Sequence, residues 1–420
     1  MDMQALGKRA KAASYQLAKA TTEEKNLVIS AIADALDASR DVILQANAKD
    51  LQLAREKGLS ETLIRDRFDL TTRIQSMIDD TRNVLTLPDP VGRVDEPRTL
   101  ANGLRVHKRR TPFGVLGVIY EARPNVTVDV AVLGLKTNNA VLLRGGSEVH
   151  HSNQALVQVI RDAIASVNNP HIPTDSVVII DSTDRIYVEQ MLKLYQYIDM
   201  IIPRGGASLH AFCRENSMIP VITGGLGICH LYVDATANQD DALNIIFNAK
   251  TQRPSVCNAV DTILVHASVA TEFFPKVVER LAPAGVQFKA EPRAYAVVQG
   301  LDAVEMAGAE DFDTEWMALV LGLKVVDSLD EAMEHIRDHS TAHSDGILTQ
   351  TEVHANRFIH EVDSAAVFVN ASTRFNDGSA LGLGAEIAVS TQKMHARGPM
   401  ALEELTTYKW VVVGDGHVRP

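Results

Sequence analysis

The sequence predicts an α/β fold in which parallel sheets are covered by helices and the chain is divided into two domains. Two observations carry this expectation. From Gly103 to Val369, short apolar runs of strand period alternate with segments of helix period, at the spacing of repeated β-α-β units. The 420 residues, 46% of them hydrophobic, are enough for two or three cores, and no apolar stretch is long enough to span a bilayer.

Each element follows from its own segment. To about Leu87, Ala, Leu and Ile recur at 3.6-residue spacing with few breakers before Pro88 and Pro90, which predicts a helical layer. Leu104–Arg109 alternates, Gly114–Tyr120 is rich in β formers, Val126–Leu135 is helical and Ala140–Leu143 reads as a buried strand, together one β-α-β unit. A helix at about Val149–Ala165, a strand at Val177–Ile180, a helix near Arg185–Leu194, a strand at Met200–Ile202 and a helix from Ala207 extend it. A second alternating set runs from Leu231 to Val369, with strands near Thr262–Val265, Lys324–Val326, Gly346–Leu348 and Ala366–Val369. There is no low-complexity linker and no short internal repeat.

A formal charge of -12 opposes general attraction to nucleic acid or anionic lipid, so neither partner is expected. An anionic ligand then needs a local cation. Arg144, Arg204, Arg253 and Arg374 are the candidates, and each taken singly reads more readily as a surface arginine. Three scattered cysteines make neither a disulfide framework nor a metal knuckle. The N-terminal segment lacks the apolar core of a secretory signal, so a cytoplasmic location is the expectation.

Cys257 is the most informative residue, because it lies between an amphipathic helix, opened by Asn238 and Asp241 at capping spacing, and the buried strand Thr262–Val265. A thiol on such a connection is held by two elements and still reaches a cleft, with Lys250 and Arg253 nearby to favour the thiolate. A small buried hydrophobe is the equal alternative. Asn125, after Pro124 and a predicted strand, is placed at the carboxyl edge of a sheet, where its amide suits an oxyanion; helix capping is the plainer role for the same residue type. No Gly-x-Gly-x-x-Gly follows a strand, but Arg144-Gly145-Gly146-Ser147 and Arg204-Gly205-Gly206 each combine backbone N–H groups, an arginine and a helix start, which suits phosphate as well as an ordinary turn. His335, His339 and His343 recur every four residues, but Ser340-Thr341 ends the helix and no carboxylate or cysteine completes a ligand set, so no metal is expected.

Together these segments resemble the aldehyde dehydrogenase superfamily over nearly the whole chain. Pro112-Phe113-Gly114-Val115 with Tyr120-Glu121-Ala122-Arg123-Pro124-Asn125 is similar to its oxyanion segment, and Lys250-Thr251-Gln252-Arg253-Pro254-Ser255-Val256-Cys257-Asn258 to its nucleophile segment. Val369-Asn370-Ala371-Ser372-Thr373-Arg374-Phe375 with Leu381-Gly382-Leu383-Gly384-Ala385-Glu386 resembles its closing segment. The resemblance implies an aldehyde-dehydrogenase-like α/β fold: a Rossmann-type NADP domain at 1–102 and 112–228 with 390–404 returning to it, an α/β catalytic domain at 229–389, and a small β flap of oligomerisation strands at 103–111 and 405–415. It also implies Cys257 and Asn125 as catalytic residues. Arg253, Ser255, Thr373 and Arg374 are implied around the substrate, and Arg144, Gly145, Gly146, Ser147, Arg204, Gly205, Gly206 and Glu315 around NADPH.

Hydrolytic members carry a Glu-Leu-Gly-Gly motif whose glutamate activates water, whereas Thr223-Gly224-Gly225-Leu226-Gly227 occupies that stretch here without a carboxylate. A thioester on Cys257 would then survive until hydride arrives. The activity implied is NADPH-dependent reduction of an acyl phosphate, L-glutamyl 5-phosphate, to its semialdehyde in proline biosynthesis; the alternatives are another phosphorylating or CoA-acylating aldehyde dehydrogenase, or a non-catalytic scaffold of the same fold. A homo-oligomer, dimer or tetramer, and association with a glutamate 5-kinase are the partners that follow from it.

Overall fold

Residues 1–419 are described by a computed structural model of the chain. The apolar spacing of the first segments produces α1 (Met3–Leu17), α2 (Thr22–Ala38), α3 (Arg40–Glu56), the short α4 (Glu61–Leu63) with a π-helical turn at Ile64–Phe68, and α5 (Ile74–Thr86). α2 opens on a reciprocal cap, in which the Glu24 N–H donates to the Thr21 hydroxyl and the Thr21 N–H to the Glu24 carboxylate. β1 (Val94–Thr99), β2 (Arg105–Pro112), β3 (Val115–Tyr120), α6 (Asn125–Lys136), β4 (Ala140–Arg144), α7 (His150–Val167), β5 (Val177–Ile179), α8 (Ile186–Met191), β6 (Met200–Arg204) and α9 (Ala207–Asn216) follow.

All residues of β3 and β4 are buried, the pattern of parallel strands covered on both faces. They lie in a four-stranded parallel sheet of order β5-β4-β3-β6. The crossovers after β3 and β4 run to one side, while β6 joins the other side of β3. The carboxyl ends of β3 and β6 therefore flank the point where strand order reverses, the usual crevice of an open α/β sheet. α6 starts from β3 with Asn125, and Gly205-Gly206 leads from β6 into α9.

The second set begins with β7 (Cys229–Val233), α10 (Gln239–Thr251), β8 (Val260–His266), α11 (Ala267–Leu281), β9 (Gln287–Ala290), α12 (Pro292–Val298) and β10 (Val304–Met306). β11 (Val320–Val326), α13 (Leu329–His339), β12 (Ser344–Leu348), α14 (Glu352–Glu361) and β13 (Ala366–Val369) complete it. Its seven strands are parallel, in the order β10-β9-β11-β8-β7-β12-β13. A core of Ile246, Ile263, Phe273, Phe274, Phe288 and Leu323 fixes α10 and α11 onto this sheet. The short β14 (Ala388–Ser390) and β15 (Gly398–Met400) precede β16 (Thr406–Val413), which pairs antiparallel with β2 in the sheet β1-β2-β16.

The chain forms two compact units: Met1–Thr223 with Gly382–Ala388 and the stretch from Met400 onward, and Gly224–Leu381 with Val389–Pro399. The break falls after Thr223, whereas the sequence expectation placed it after Ile228. A parallel bridge from Ile201 to Val221 ties the intervening segment to the first sheet.

Candidate active site

Cys257 stands in the connection from α10 to β8. Asn238 caps α10 by accepting from the Asp240 and Asp241 N–H groups, and β8 is buried from Val260 to Val265, so both ends of the connection are fixed. A turn closes between them, with the Ala259 N–H on the Val256 carbonyl at 3.0 Å. Cys257 is half-buried, whereas Cys213 and Cys229 are buried.

Side chains grip the backbone of this turn. The Cys229 thiol donates to the Cys257 carbonyl at 3.1 Å, the Thr373 hydroxyl to the Asn258 carbonyl at 2.7 Å, and the Asn258 amide to the Asn376 carbonyl at 3.1 Å. Burial, with Asp261 and Asp345 adding, pushes the Cys229 thiol far above the usual range and keeps it a donor. Thr373 is fully buried and its hydroxyl is committed to Asn258, so it supports the Cys257 turn instead of offering a group to substrate, a correction to the sequence expectation.

Lys250 corrects another expectation. Its Nζ is buried, donates to the Val260 carbonyl at 2.9 Å and lies 3.5 Å from Asp261 Oδ1. Its charge serves Asp261, whose oxygens also accept from the Cys229 and Trp316 N–H groups, and is not available to activate Cys257. Burial lowers the Lys250 ammonium and lifts the Asp261 carboxyl to about 6. Arg253 and Ser255 are exposed. Arg374 sits on the turn Thr373–Phe375 with its Nε donating to Gln252 Oε1 at 3.0 Å. Glu315 Oε1 accepts the Gly227 N–H at 2.8 Å, and burial pushes its carboxyl up.

The other predicted residues lie at the carboxyl edge of the four-stranded sheet. Asn125 is the first residue of α6, behind Pro124, and makes no side-chain cap; its Nδ2 instead donates to Asp129 Oδ2, one turn on, at 3.0 Å. Gly206 N–H donates to Glu121 Oε2 at 2.9 Å, and a Cβ at Gly205 would lie 2.5 Å from that carboxylate. A carboxylate thus already holds the N–H that the sequence offered to phosphate, and its charge opposes a second anion there.

Arg144 is buried, and its guanidinium donates to the Gly145 and Thr183 carbonyls at 2.9 and 3.0 Å, clamping its own loop. Ser147 donates to Glu148 at 3.2 Å. A Cβ at Gly145 would meet Asn153 Nδ2 at 2.1 Å, and one at Gly146 the Ala122 nitrogen at 2.9 Å, so both glycines permit close backbone approach. Arg144 Nε and Arg204 Nε are buried without a hydrogen-bond partner, and burial with Arg204 lowers His210 to about 4. Unpaired donors and close-approaching backbone at a strand-order switch fit a dinucleotide.

A cleft of about 290 Å³, lined by Asn238, Asp241, Asn244, Gln350 and Asn370 among others, opens at the carboxyl edge of the seven-stranded sheet. Cys257 precedes β8 and so lies at the opposite edge. α13 ends at His339, as Ser340-Thr341 suggested; His335 packs against His230, Phe312 and His339, while His343 bonds to Ser344. No cluster placed to hold a metal occurs among the described residues. Sequence reasoning missed Asp129 and Glu121, although the four-residue spacing from Asn125 to Asp129 on a helix was a usable signal.

The model of the aldehyde dehydrogenase family matches residues 1–295. The chain belongs to the aldehyde dehydrogenase family. Gamma-glutamyl phosphate reductase of Psychromonas ingrahamii is 55% identical over 421 residues, covering 100% of both chains. That of Escherichia coli is 54% identical over 419 residues, covering 99% of this chain and 100% of its own. The crystal structure of gamma-glutamyl phosphate reductase from Thermotoga maritima matches with a TM-score of 0.96 at 45% identity, covering 100% of both chains. The family resemblance read from the motifs and the α/β fold class both hold. Membership of this aldehyde dehydrogenase family makes the chain a nicotinamide-dependent oxidoreductase with a small-molecule substrate. No helix among the described residues is long and apolar enough to cross a membrane.

Proposed function

We propose that the chain catalyses NADPH-dependent reduction of L-glutamyl 5-phosphate to L-glutamate 5-semialdehyde and phosphate. Full-length relatives at 54% and 55% identity carry the name of that reaction. The observation that carries the assignment on this chain is Cys257, solvent-accessible on a turn that Cys229, Thr373 and Asn258 hold in place.

The Cys257 thiolate attacks the acyl carbon, forming a C–S bond. The Asn125 amide and the Cys257 N–H hold the oxyanion, which collapses with loss of phosphate and its electron pair. Bound NADPH supplies the hydride that reduces the thioester carbon. The same donors hold the oxygen of the resulting thiohemiacetal until the C–S bond breaks, releasing the semialdehyde and the Cys257 thiolate. Arg253, Ser255 and Arg374 bind the phosphate or the glutamate carboxylate, since guanidinium matches either anion.

Arg144, Ser147 and the glycine turns at 145–146 and 205–206 belong to the cofactor site, with Glu315 toward its ribose. Segments 1–102 and 112–223 belong to the cofactor domain, and 224–381 with 389–399 to the catalytic domain. Strands 103–111 and 405–415 join subunits into a dimer or tetramer. The enzyme works in the cytoplasm, supplied by a glutamate 5-kinase.

The reverse reaction tests the proposal without the labile acyl phosphate. Oxidation of glutamate 5-semialdehyde should require phosphate, should not be supported by coenzyme A, and should run faster with NADP than with NAD. Turnover that needs coenzyme A, or neither acceptor, would assign a different member activity.

A further inference from the structure

We propose that Asp129 is a positioning residue whose carboxylate fixes the orientation of the Asn125 amide, so that an N–H and not a carbonyl oxygen is presented to the reacting centre. This inference rests on the reading of Asn125 as an oxyanion donor. The geometry is local to α6: Nδ2 of Asn125 lies 3.0 Å from Oδ2 of Asp129, four residues on along the same helix face. It is the only side-chain hydrogen bond of Asn125 among the described residues, and the amide is not used to cap the helix.

A terminal amide has two nearly equivalent faces of opposite chemistry, one with two donors and one with two lone pairs. Turned the wrong way, Asn125 would set an oxygen against a developing oxyanion and repel it. An ionised carboxylate can only accept, so it selects the NH2 face; one hydrogen goes to Asp129 and the second remains to donate outward. A protonated Asp129 loses this selectivity, because its O–H donates equally well to the amide oxygen.

The surroundings place that switch close to neutrality. Burial pushes the Asp129 carboxyl up to about 7, the hydrogen bond from Asn125 pulls it down, Asp80 from α5 raises it, and Arg204 from β6 lowers it. Asp80 and Arg204 are the charged groups that face it. The ionised, orienting form therefore dominates only toward the alkaline side.

The test is a double-mutant cycle with pH profiles on the full-length enzyme. Asn125→Ala should lower kcat by about 10²–10³. Asp129→Leu should lower kcat by about tenfold or more with substrate KM within about twofold, and the double variant should be no slower than Asn125→Ala alone, since both act through one amide. Asp129→Asn, whose NH2 group can donate to the amide oxygen as the protonated acid does, should be slowed at every pH and lose the acid limb that the parent enzyme shows near pH ~7, whereas Asp129→Glu, which keeps a carboxylate, should recover part of the rate and keep the limb. Thermal melts establish that each variant is folded. If Asn125→Ala keeps full activity, the oxyanion reading fails and the inference with it. If Asn125→Ala is slow but Asp129→Leu and Asp129→Asn keep the parent rate and pH profile, or the losses multiply in the double variant, Asn125 stands and the role of Asp129 is overturned.

Discussion

The α-carbon of Gly227 lies so close to Cys257 that a Cβ there would stand 1.7 Å from the Cys257 carbonyl oxygen and 2.8 Å from its α-carbon. The same glycine donates its N–H to Glu315, and Cys229, two residues on, donates its thiol to that carbonyl. The β7 entry and the Cys257 turn are therefore in backbone contact. Gly227→Ala must displace the turn, so kcat should fall by more than about tenfold while the melting temperature drops by several degrees, the signature of a close-contact change costing about 2 kcal/mol or more. An unaltered kcat would mean that the position of Cys257 does not depend on this contact.

Arg374 is held at Nε by Gln252, the residue that follows α10. A guanidinium matches a carboxylate or phosphate in its fork geometry, which suits Arg374 to the proposed substrate site. Arg374→Ala should raise the KM for semialdehyde or phosphate at least about tenfold and leave the KM for NADP within about twofold. The opposite pattern in initial-rate kinetics would move Arg374 out of the substrate site.

Asp129 also makes a prediction about stability. Its carboxyl is pushed from an ordinary 3.8 to about 7 in the folded chain, mainly by burial. A carboxyl raised on folding favours the folded state only while the folded form keeps its proton, so this contribution is lost as pH climbs from about 4 through about 7. Asp129→Asn removes the penalty, and its melting temperature relative to the parent should rise between pH ~5 and pH ~8. A difference that stays constant or falls over that window would contradict the raised value.

β16 is an edge strand, pairing on one side with β2. It exposes Tyr408, Trp410 and Val412, each about half accessible, with Arg98 and Lys108 both 5.3 Å from the Trp410 ring centre. An apolar edge of this kind invites another strand or subunit. Trp410→Glu should give a smaller species than the parent chain in light scattering; an unchanged mass would remove this strand from the proposed subunit contact.

Much of this was legible in the sequence. β3 and β4 are buried throughout, and their apolar runs announce them, while β8 and β12 were legible only in their apolar parts, Thr262–Val265 and Gly346–Leu348; the Asn238 cap and the end of α13 followed from side-chain chemistry at those positions. β1, β9 and β10 were not, because their residues face solvent in whole or part and carry no strong periodicity. At the candidate site, the turn bearing Cys257 was predictable from its flanks. What the sequence hid was where polar groups are committed: Lys250 to Asp261, Thr373 to Asn258, and Glu121 to Gly206. Those pairings link residues distant in sequence, and local spacing says nothing about them.

A single-turnover experiment on Cys257 tests the central claim most directly. Mixed with glutamate 5-semialdehyde and NADP in phosphate-free buffer, the enzyme should give a burst of about one NADPH per subunit and then stop, with a glutamyl group on the Cys257 peptide in mass spectrometry; added phosphate should restart turnover. Continuous phosphate-free turnover, or an acyl group on any residue other than Cys257, would contradict the account.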